Sequence, residues 1–324
     1  KTVDLGTQTI TELRKTQAVS TIYSDELDKN ATTSPYNAIY GLLPGLTVMQ
    51  NTSWGTDKSR LNVRGRGSLN GDTPLFVVDG FARPIEYINL SEIESISVLK
   101  DGAATALWGG RGANGVVLIT TKRGMYSKKE IKVDYKFGLG LPVNQPEFAD
   151  AYTYAKARNE ALRYDGLQPD MDEASFLAGG NSDLYPNVDW QKEALRNHTT
   201  SHQLDITFRG GGKRLRYFSV LNYKNDMGLL NSKYTDYTDR YNSQMKKYFL
   251  NLRMNLDVDI TDATKLKLNM LGMLRETKRP TTSEATLFEQ IFNTPSAAFP
   301  VQTQNGLWGS NNVLKTNPIA NLAD

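Results

Sequence analysis

The chain has 324 residues, a formal net charge of +3 and 39% hydrophobic residues. This length predicts about two domains, and the near-neutral charge gives no electrostatic basis for binding nucleic acid. The sequence contains no cysteine, which excludes a disulfide scaffold, a thiol nucleophile and a cysteine metal site. No apolar run approaches the roughly 18 residues that a membrane helix needs, but transmembrane β-strands escape that test because only alternate residues face lipid.

The first 124 residues consist of short elements separated by glycine, proline and aspartate. A helix is predicted over 34–46, where Pro44 and Gly45 end it. An apolar strand over 75–78 precedes Asp79-Gly80, which is a strong hairpin-turn signal. This order of elements predicts a small α/β domain.

Two helix starts and a second apolar strand follow. Ser91 and Glu94 have the spacing of a capping box and predict a short helical turn. Asp101 is expected to cap a helix over 103–107, which the glycines after Trp108 then end. The apolar run 116–119 predicts the strand that follows.

The stretch from Gly110 to Gly115 matches the pattern G-x-G-x-x-G. A dinucleotide site requires a strand before these glycines and a helix after them. Here a predicted helix precedes them and a predicted strand follows. We therefore interpret the glycines as a tight helix-to-strand connection, and no cofactor is expected.

From residue 131 onward, apolar and polar residues alternate in five segments. Four alternate cleanly, and the one around 215–223 is less regular because Phe218 and Val220 fall on its other face. Alternation fits either a soluble sheet on a core or a membrane barrel whose apolar face meets lipid. The segments run to about ten residues or more, as spanning strands require, whereas soluble strands average about five or six.

The connections between these segments also favour the barrel. Short turns over 210–213 and 261–264 alternate with long connections, which is typical of outer-membrane barrels. Five strands cannot close such a barrel, so the chain is expected to be the N-terminal part of a longer polypeptide. The stretch 317–322 is expected to be a loop before a sixth strand.

Several ordered motifs carry a resemblance to a known family. They are Leu-Asn-Val-Arg-Gly (61–65), Pro-Leu-Phe-Val-Val-Asp-Gly (74–80), Ile-Glu-Ser-Ile-Ser-Val-Leu-Lys-Asp-Gly (93–102) and the run 108–124 that ends in Thr-Thr-Lys-Arg-Gly. Over roughly residues 3–125 the chain resembles the plug of SusC/RagA-type TonB-dependent outer-membrane transporters. The resemblance implies a plug domain over 1–125. It also implies that 126–324 begin an antiparallel transmembrane β-barrel, with about five strands and long extracellular loops, of a kind that has 22 strands in the family.

The resemblance implies TonB-dependent import of an oligosaccharide or peptide across the Gram-negative outer membrane, rather than an enzyme. The implied partners are a SusD-like surface lipoprotein as a lid, TonB with ExbB-ExbD, and outer-membrane lipid. A non-transporting family member, acting as receptor, signal transducer or scaffold, is an open alternative. A soluble β-rich binding module is another.

Three plug loops point outward in related transporters, and by motif order they correspond to 51–60, 67–73 and 81–88. The predicted substrate-binding residues on these loops are Trp54, Asp57, Asn70, Arg83 and Tyr87. An aromatic ring such as that of Trp54 can stack on a sugar, and Arg83 can bind hydroxyls or a carboxylate. The alternative is that these loops only seal the plug against the barrel.

Other polar residues are expected to have structural roles. Arg64, Arg66 and Arg111 are expected to form ion pairs between plug and wall. The only two histidines, His198 and His202, have a spacing that suits zinc on a helix, but on a strand it puts them about 13 Å apart. No metal site is therefore expected.

Overall fold

The structure, a computed structural model, describes residues 2–4, 9–11, 17–27, 29, 34–49, 59–67, 71–126, 129–143, 145–231, 233 and 244–323. The N-terminal strands are short: β1 (Thr2–Asp4), β2 (Thr9–Thr11), β3 (Val19–Tyr23), β4 (Leu46–Met49), β5 (Arg60–Val63), β6 (Leu75–Val78), β7 (Phe81–Ala82), β8 (Ile93–Leu99) and β9 (Val116–Thr121). The helices among them are α1 (Ser24–Leu27), α2 (Pro35–Ala38) and α3 (Gly102–Thr105).

The core of the N-terminal α/β region (residues 17–126) is a mixed five-stranded sheet in the order β3-β8-β9-β6-β7. β8 runs antiparallel to β3 and β9, while β6 and β9 are parallel. Because alternate residues of a strand face opposite sides, Val117 and Ile119 join a large apolar cluster. Val116 and Leu118 join a smaller one on the other face.

A predicted hairpin turn and a predicted helix cap of this region are confirmed. Asp79 and Gly80 both have positive φ, of 48° and 90°, and join β6 to β7 as a two-residue hairpin. Asp101 accepts a hydrogen bond from the backbone N–H of Ala104, 2.7 Å away, and so caps α3. A 3₁₀ segment (Ala106–Gly112) leads from α3 towards β9, so the G-x-G-x-x-G stretch is a helix-to-strand connection.

Two predicted helical features are wrong. The helix over 34–46 is only α2, because Gly41 and Gly45 adopt left-handed φ values of 72° and 86° that end helical winding. The Ser91–Glu94 capping box does not form. Asn89 caps a 3₁₀ turn (Leu90–Glu92) instead, and Glu94 lies in β8, whose buried apolar residues favour strand over helix.

The five predicted long strands are confirmed and are longer than their sequence patterns. They are β10 (Glu130–Gly140), β11 (Thr199–Gly211), β12 (Leu215–Met227), β13 (Lys246–Asp259) and β14 (Lys265–Lys278), and each has 11 to 14 residues. They form one sheet in sequence order, β10-β11-β12-β13-β14. We call it the long-strand sheet.

The chain divides into two units. The first comprises Lys1–Lys136, His202–Lys224 and Tyr248–Arg275, so it contains the N-terminal α/β region together with parts of the long strands. The second comprises Phe137–Ser201, Asn225–Lys247 and Glu276–Asp324.

The second unit carries helices in the connections that the sequence indicates as loops. These are α4 (Ala151–Tyr164), α5 (Glu173–Ala178), α6 (Trp190–Ala194), α7 (Glu284–Asn293) and α8 (Pro318–Ala323). The loop prediction for 317–322 is therefore wrong. Pro318 suits the first helical position, and the side-chain oxygen of Asn317 accepts from the N–H of Ile319 at 2.9 Å.

In the described part of the chain, no helix combines the length and apolar character needed to cross a membrane.

Candidate functional site

Within the first unit, burial on β11, β12 and β13 is largely the reverse of that in a soluble protein. Most polar residues of one face are buried and most apolar residues are at least partly exposed, although Phe218 and Val220 of β12 are buried as well. Arg253 on β13 is 2% exposed, whereas its neighbour Leu252 is 48% exposed. The buried polar residues of these strand segments are Gln203, Asp205, Asn222, Lys224, Asn251, Arg253, Asn255 and Asp257. The alternation predicted from sequence is thus present, with its polar face inward.

An ion pair lies at the centre of this polar face. Nε of Arg253 donates to Oε2 of Glu92 at 2.5 Å, and Glu92 is fully buried. Nδ2 of Asn251 donates to the other oxygen, Oε1. Complete burial raises the pKa of Glu92, while Arg253 opposes that rise. A paired buried charge of this kind holds two chain segments in one register, because separating them would leave each charge without its partner.

A chain of amides continues from this pair across β12 and β11. Asn222 accepts from Nδ2 of Asn251 at 3.1 Å and donates to Oδ1 of Asp205 at 2.8 Å. Its amide nitrogen also donates to Oγ of Ser91 at 2.8 Å. Asp205 accepts from Nε2 of Gln203 at 2.6 Å. The 3₁₀ turn before β8 is therefore tied to three of the long strands by polar contacts.

A second set of contacts involves the end of β9. Nδ2 of Asn255 donates to Oγ1 of Thr121 and to the carbonyl oxygen of Lys122, both at 2.8 Å. Thr121 in turn donates from Oγ1 to Asp79 at 2.6 Å. The hairpin turn that contains Asp79 is thus linked through β9 to β13.

Arginines carry the contacts just beyond β9. Nη1 of Arg123 donates to Asp257 at 2.7 Å, and Nη2 donates to Oδ1 of Asn269 at 3.0 Å. Nε of Arg209 donates to the carbonyl oxygen of Arg123 at 2.6 Å, and its Nη2 lies 3.7 Å from Glu94. Residue Arg123, just after β9, is therefore joined to β11, β13 and β14 by polar contacts.

Among the described residues, the arginines predicted for plug-to-wall ion pairs form none with the five long strands, and their pairing with other parts of a wall stays a prediction. Arg66 pairs with Asp72, 3.4 Å away within the N-terminal α/β region. Arg64 and Arg111 are exposed, and among the described residues neither has an ion pair with a long strand. Glycines around them place their side chains at turns on the surface.

The predicted substrate residues are only partly covered by the structure. Trp54, Asp57 and Asn70 lie outside the described residues. Arg83 follows β7, and Tyr87 ends a 3₁₀ turn (Ile85–Tyr87). Both side chains are half-buried, and Arg83 lines a cavity together with Arg253.

We next consider the positions of the histidines, in relation to the carboxylates, in the described part of the chain. Nδ1 of His202 lies 2.7 Å from the hydroxyl of Tyr135 on the adjacent strand. His198 lies before β11. Within the described ranges no group of three or more histidine or acidic side chains could hold a metal ion.

Sequence reasoning missed Glu92 and Arg253 as a pair. The alternating pattern of β13 places Arg253 on the polar face, but nothing local distinguishes it from the other polar residues there. Glu92 lies one residue before an apolar strand, where charged residues are common. The sequence offers one weak indication: Glu92 and Arg253 each lie next to a run of apolar residues.

Comparisons with known proteins agree with this architecture. The family model described as TonB-dependent Receptor Plug Domain matches residues 11–116. TonB-dependent receptor P3 of Formosa agariphila is 30% identical over 289 residues, which are 87% of this chain and 25% of that protein. TonB-dependent receptor SusC of Bacteroides thetaiotaomicron is 31% identical over 231 residues, 66% of this chain and 21% of that protein.

A solved structure, the RagAB peptide importer in the "open-open" state, superposes with a TM-score of 0.76 at 22% identity, over 99% of this chain and 38% of that chain. That likeness concerns the fold. The fold is an α/β plug followed by antiparallel β-barrel strands, here as an open sheet of five.

These findings identify the class as the TonB-dependent receptors. Within that class the chain belongs to the SusC/RagA type. It spans about a quarter of the length of the first curated relatives that it matches.

Proposed function

We propose that the protein imports an oligosaccharide or peptide nutrient across the Gram-negative outer membrane, driven by TonB. In this proposal residues 1–125 are the plug and 126–324 begin the transmembrane barrel. The plug occludes the lumen and shifts when TonB pulls on it. The buried pair between Glu92 and Arg253 is the observation that carries the proposal.

A plug that must move needs contacts that are specific yet reversible. Buried polar groups that separate into water recover hydration, which offsets much of the bond energy lost. An apolar interface would instead expose surface at about 25 cal/mol per Å². The contacts of Asn222, Asn251 and Asn255 are of the first kind. These contacts support a plug that is held in one position relative to the strands and that can still be released when TonB pulls on it.

The proposed partners are TonB with ExbB-ExbD and a SusD-like surface lipoprotein that acts as a lid over the barrel. Membership of the SusC/RagA type supports both. One structurally similar protein is named a peptide importer, and SusC is among the relatives. The exposed apolar faces of the long strands, with Tyr135 and Leu252 more than two-fifths exposed, support contact with outer-membrane lipid.

The proposed substrate-binding residues remain Trp54, Asp57, Asn70, Arg83 and Tyr87. Their support is the motif order of the plug loops, together with the position of Arg83 at a cavity.

The competing function is a receptor or signal transducer that binds ligand without importing it. The deciding experiment deletes the chromosomal gene, restores it, and measures growth and uptake on a panel of oligosaccharides and peptides, with and without TonB. Import predicts that uptake of at least one substrate needs both genes. Binding and induced gene expression without uptake would favour the receptor.

A further inference from the structure

A cavity of about 680 Å³ lies within the second unit, between the segment that precedes α4 and the start of α6. It is lined by residues 145–150, by residues 187–192 and by the end of α7. Small-molecule sites typically have volumes of about 300–1,000 Å³. Neither Arg83 nor Tyr87 lines this cavity, so it is a separate candidate for ligand binding.

The segment before α4 is fixed in place by side chains from elsewhere in the unit. Nε2 of Gln191 donates to the carbonyl oxygen of Pro146 at 2.7 Å, and Oγ of Ser296 donates to that of Ala149 at 2.8 Å. Oδ1 of Asn187 accepts from the first backbone N–H of α4 at 3.1 Å. This wall of the cavity is therefore preformed, so a ligand does not have to order it on binding.

An accessible aromatic ring forms part of the lining. Phe148 lines the cavity and is 53% exposed. Its ring is stacked on that of Phe292 of α7, with ring centroids 6.0 Å apart and planes inclined by 26°. Phe292 in turn lies 5.8 Å from the ring of Phe288. The stack supports the ring of Phe148 from one side, and the accessible part of that ring offers a flat apolar surface to a ligand.

The charged groups of the lining are mainly hydrogen-bond acceptors. Glu147, Asp150 and Asp189 are exposed carboxylates. Lys192 is the only basic residue among the described lining residues, and its Nζ already lies 2.9 Å from Asp189. Asp150 accepts from the backbone N–H of Thr153 at 2.8 Å. Since a carboxylate has about four lone-pair sites, these groups can accept further hydrogen bonds from a ligand.

We propose that this cavity binds a hexose unit of an uncharged oligosaccharide. The C–H face of the sugar lies on the ring of Phe148, and its hydroxyl groups donate to Glu147 and Asp150. A pyranose ring has an apolar face and hydroxyl groups around its edge, which matches one accessible aromatic ring among acceptors.

Charged ligands fit this lining less well. An anionic sugar is repelled by the three carboxylates. A basic peptide gains little from them, because water and salt screen the attraction to exposed carboxylates. The inference rests on the proposed import function and selects an uncharged oligosaccharide over a peptide as the substrate.

The test measures calorimetric binding to the full-length protein, purified in detergent. The probes are uncharged hexasaccharides of glucose, mannose and galactose in α and β linkage, together with hexalysine and hexagalacturonate. At least one uncharged probe is expected to bind, with the same affinity at about 50 and about 500 mM salt. The two charged probes are expected not to bind.

The variant Phe148→Ala is expected to weaken that binding by about tenfold or more, whereas Phe148→Tyr keeps the ring and should bind like the wild type. Glu147→Gln should cost no more than about threefold, because the amide oxygen still accepts from a hydroxyl group. Tyr164→Ala is the matched control, since Tyr164 is an aromatic residue of α4 that is 85% exposed and does not line the cavity. Thermal unfolding of each variant shows that the fold is retained.

The proposal is overturned if no uncharged hexasaccharide binds, or if wild type and Phe148→Ala bind with equal affinity. Salt-sensitive binding of hexalysine that Glu147→Gln abolishes would also overturn it and would assign the cavity to basic peptides. The binding assay does not involve TonB. Oligosaccharide binding that needs Phe148, without any uptake, therefore argues against the import function alone. TonB-dependent uptake that is indifferent to Phe148→Ala, together with unchanged binding, argues against the cavity alone.

Discussion

Glu92 and Arg253 are 161 positions apart in sequence, yet Nε of Arg253 lies 2.5 Å from Oε2 of Glu92, and both side chains are buried. This contact fixes the register between the plug and β13. Since burial raises the pKa of Glu92 while Arg253 lowers it, the pair is a specific lock rather than a large net source of stability.

Removing one partner of this lock should be strongly destabilising. Glu92→Gln leaves Arg253 as a buried charge whose nearest remaining carboxylate is Asp79, 3.9 Å away. We expect a loss of about 3 to 5 kcal/mol in the free energy of unfolding, measured by urea unfolding with protease susceptibility of the plug as the readout.

The matched control is Glu94→Gln. Glu94 is 46% exposed and 3.7 Å from Arg209, so its loss should cost no more than about 1 kcal/mol. The double variant Glu92→Leu with Arg253→Met should recover most of the stability, because no buried charge remains unpaired. Equal losses for Glu92→Gln and Glu94→Gln would contradict a buried lock.

Stability at acidic pH should depend on Asp101. Backbone N–H groups of Ala18 and then Ala104 lower the pKa of this carboxyl, helped by the charges of Arg64 and Lys100. A lowered folded-state pKa stabilises the fold above the ordinary aspartate value of about 3.9 and loses that contribution as pH falls through the lowered value. Asp101→Asn should flatten this part of the stability curve below pH of about 4, as measured by thermal unfolding across pH. If the stability of Asp101→Asn fell with decreasing pH as steeply as that of the wild type, the lowered pKa of Asp101 would not be the cause.

The glycines of the G-x-G-x-x-G stretch should differ sharply in tolerance. Gly115 has a φ of 91°, and a Cβ there would lie 2.8 Å from Cβ of Val63. Gly115→Ala should therefore cost roughly 2 kcal/mol or more in unfolding free energy. Gly110 has no neighbour within 4 Å of such a Cβ, so Gly110→Ala should stay within about 0.5 kcal/mol. Equal sensitivity would mean that these glycines do not serve the helix-to-strand connection.

The exposed face of β13 should tolerate no charge if it meets lipid. Leu252 is 48% exposed, and Leu252→Arg should cost about 2 to 4 kcal/mol near the bilayer centre. The expected result is a clear loss of folded, heat-modifiable protein from the outer-membrane fraction. Asp262→Arg in the short β13–β14 turn is the control and should assemble normally. Normal assembly of both variants would argue that this face lies in water.

Much of the fold follows from local sequence, and the pairing of its parts does not. The period of two in β13 puts Leu252 and Arg253 on opposite faces, and Asp79-Gly80 specifies a hairpin by its turn chemistry. The ends of helices are harder to predict. Gly41 has a positive φ and α2 ends before it, but the sequence alone does not distinguish such a glycine from one that a helix tolerates.

The site depends on contacts that local patterns do not encode. That Arg253 meets Glu92, while Arg66 pairs inside the plug with Asp72, is decided by how the plug docks on the strands. Every arginine on a polar face had the same sequence signature. Predicting the partner requires the register between two segments more than a hundred residues apart, which only tertiary packing sets.

In the proposed import cycle the plug leaves its polar contacts with the strands. Nδ2 of Asn222 lies 2.8 Å from Oγ of Ser91, so these two side chains meet across the contact between plug and strand. Ser91→Cys combined with Asn222→Cys puts a thiol on each side of this contact. The disulfide that joins plug and strand is verified by electrophoresis with and without reductant before uptake is measured, with the two single variants as controls.

The decisive measurement is TonB-dependent substrate uptake by cells that carry this double variant, before and after mild reduction. We predict that uptake is abolished under oxidising conditions and restored by reductant, while binding at the cell surface persists throughout. Full uptake with the disulfide intact would contradict the account.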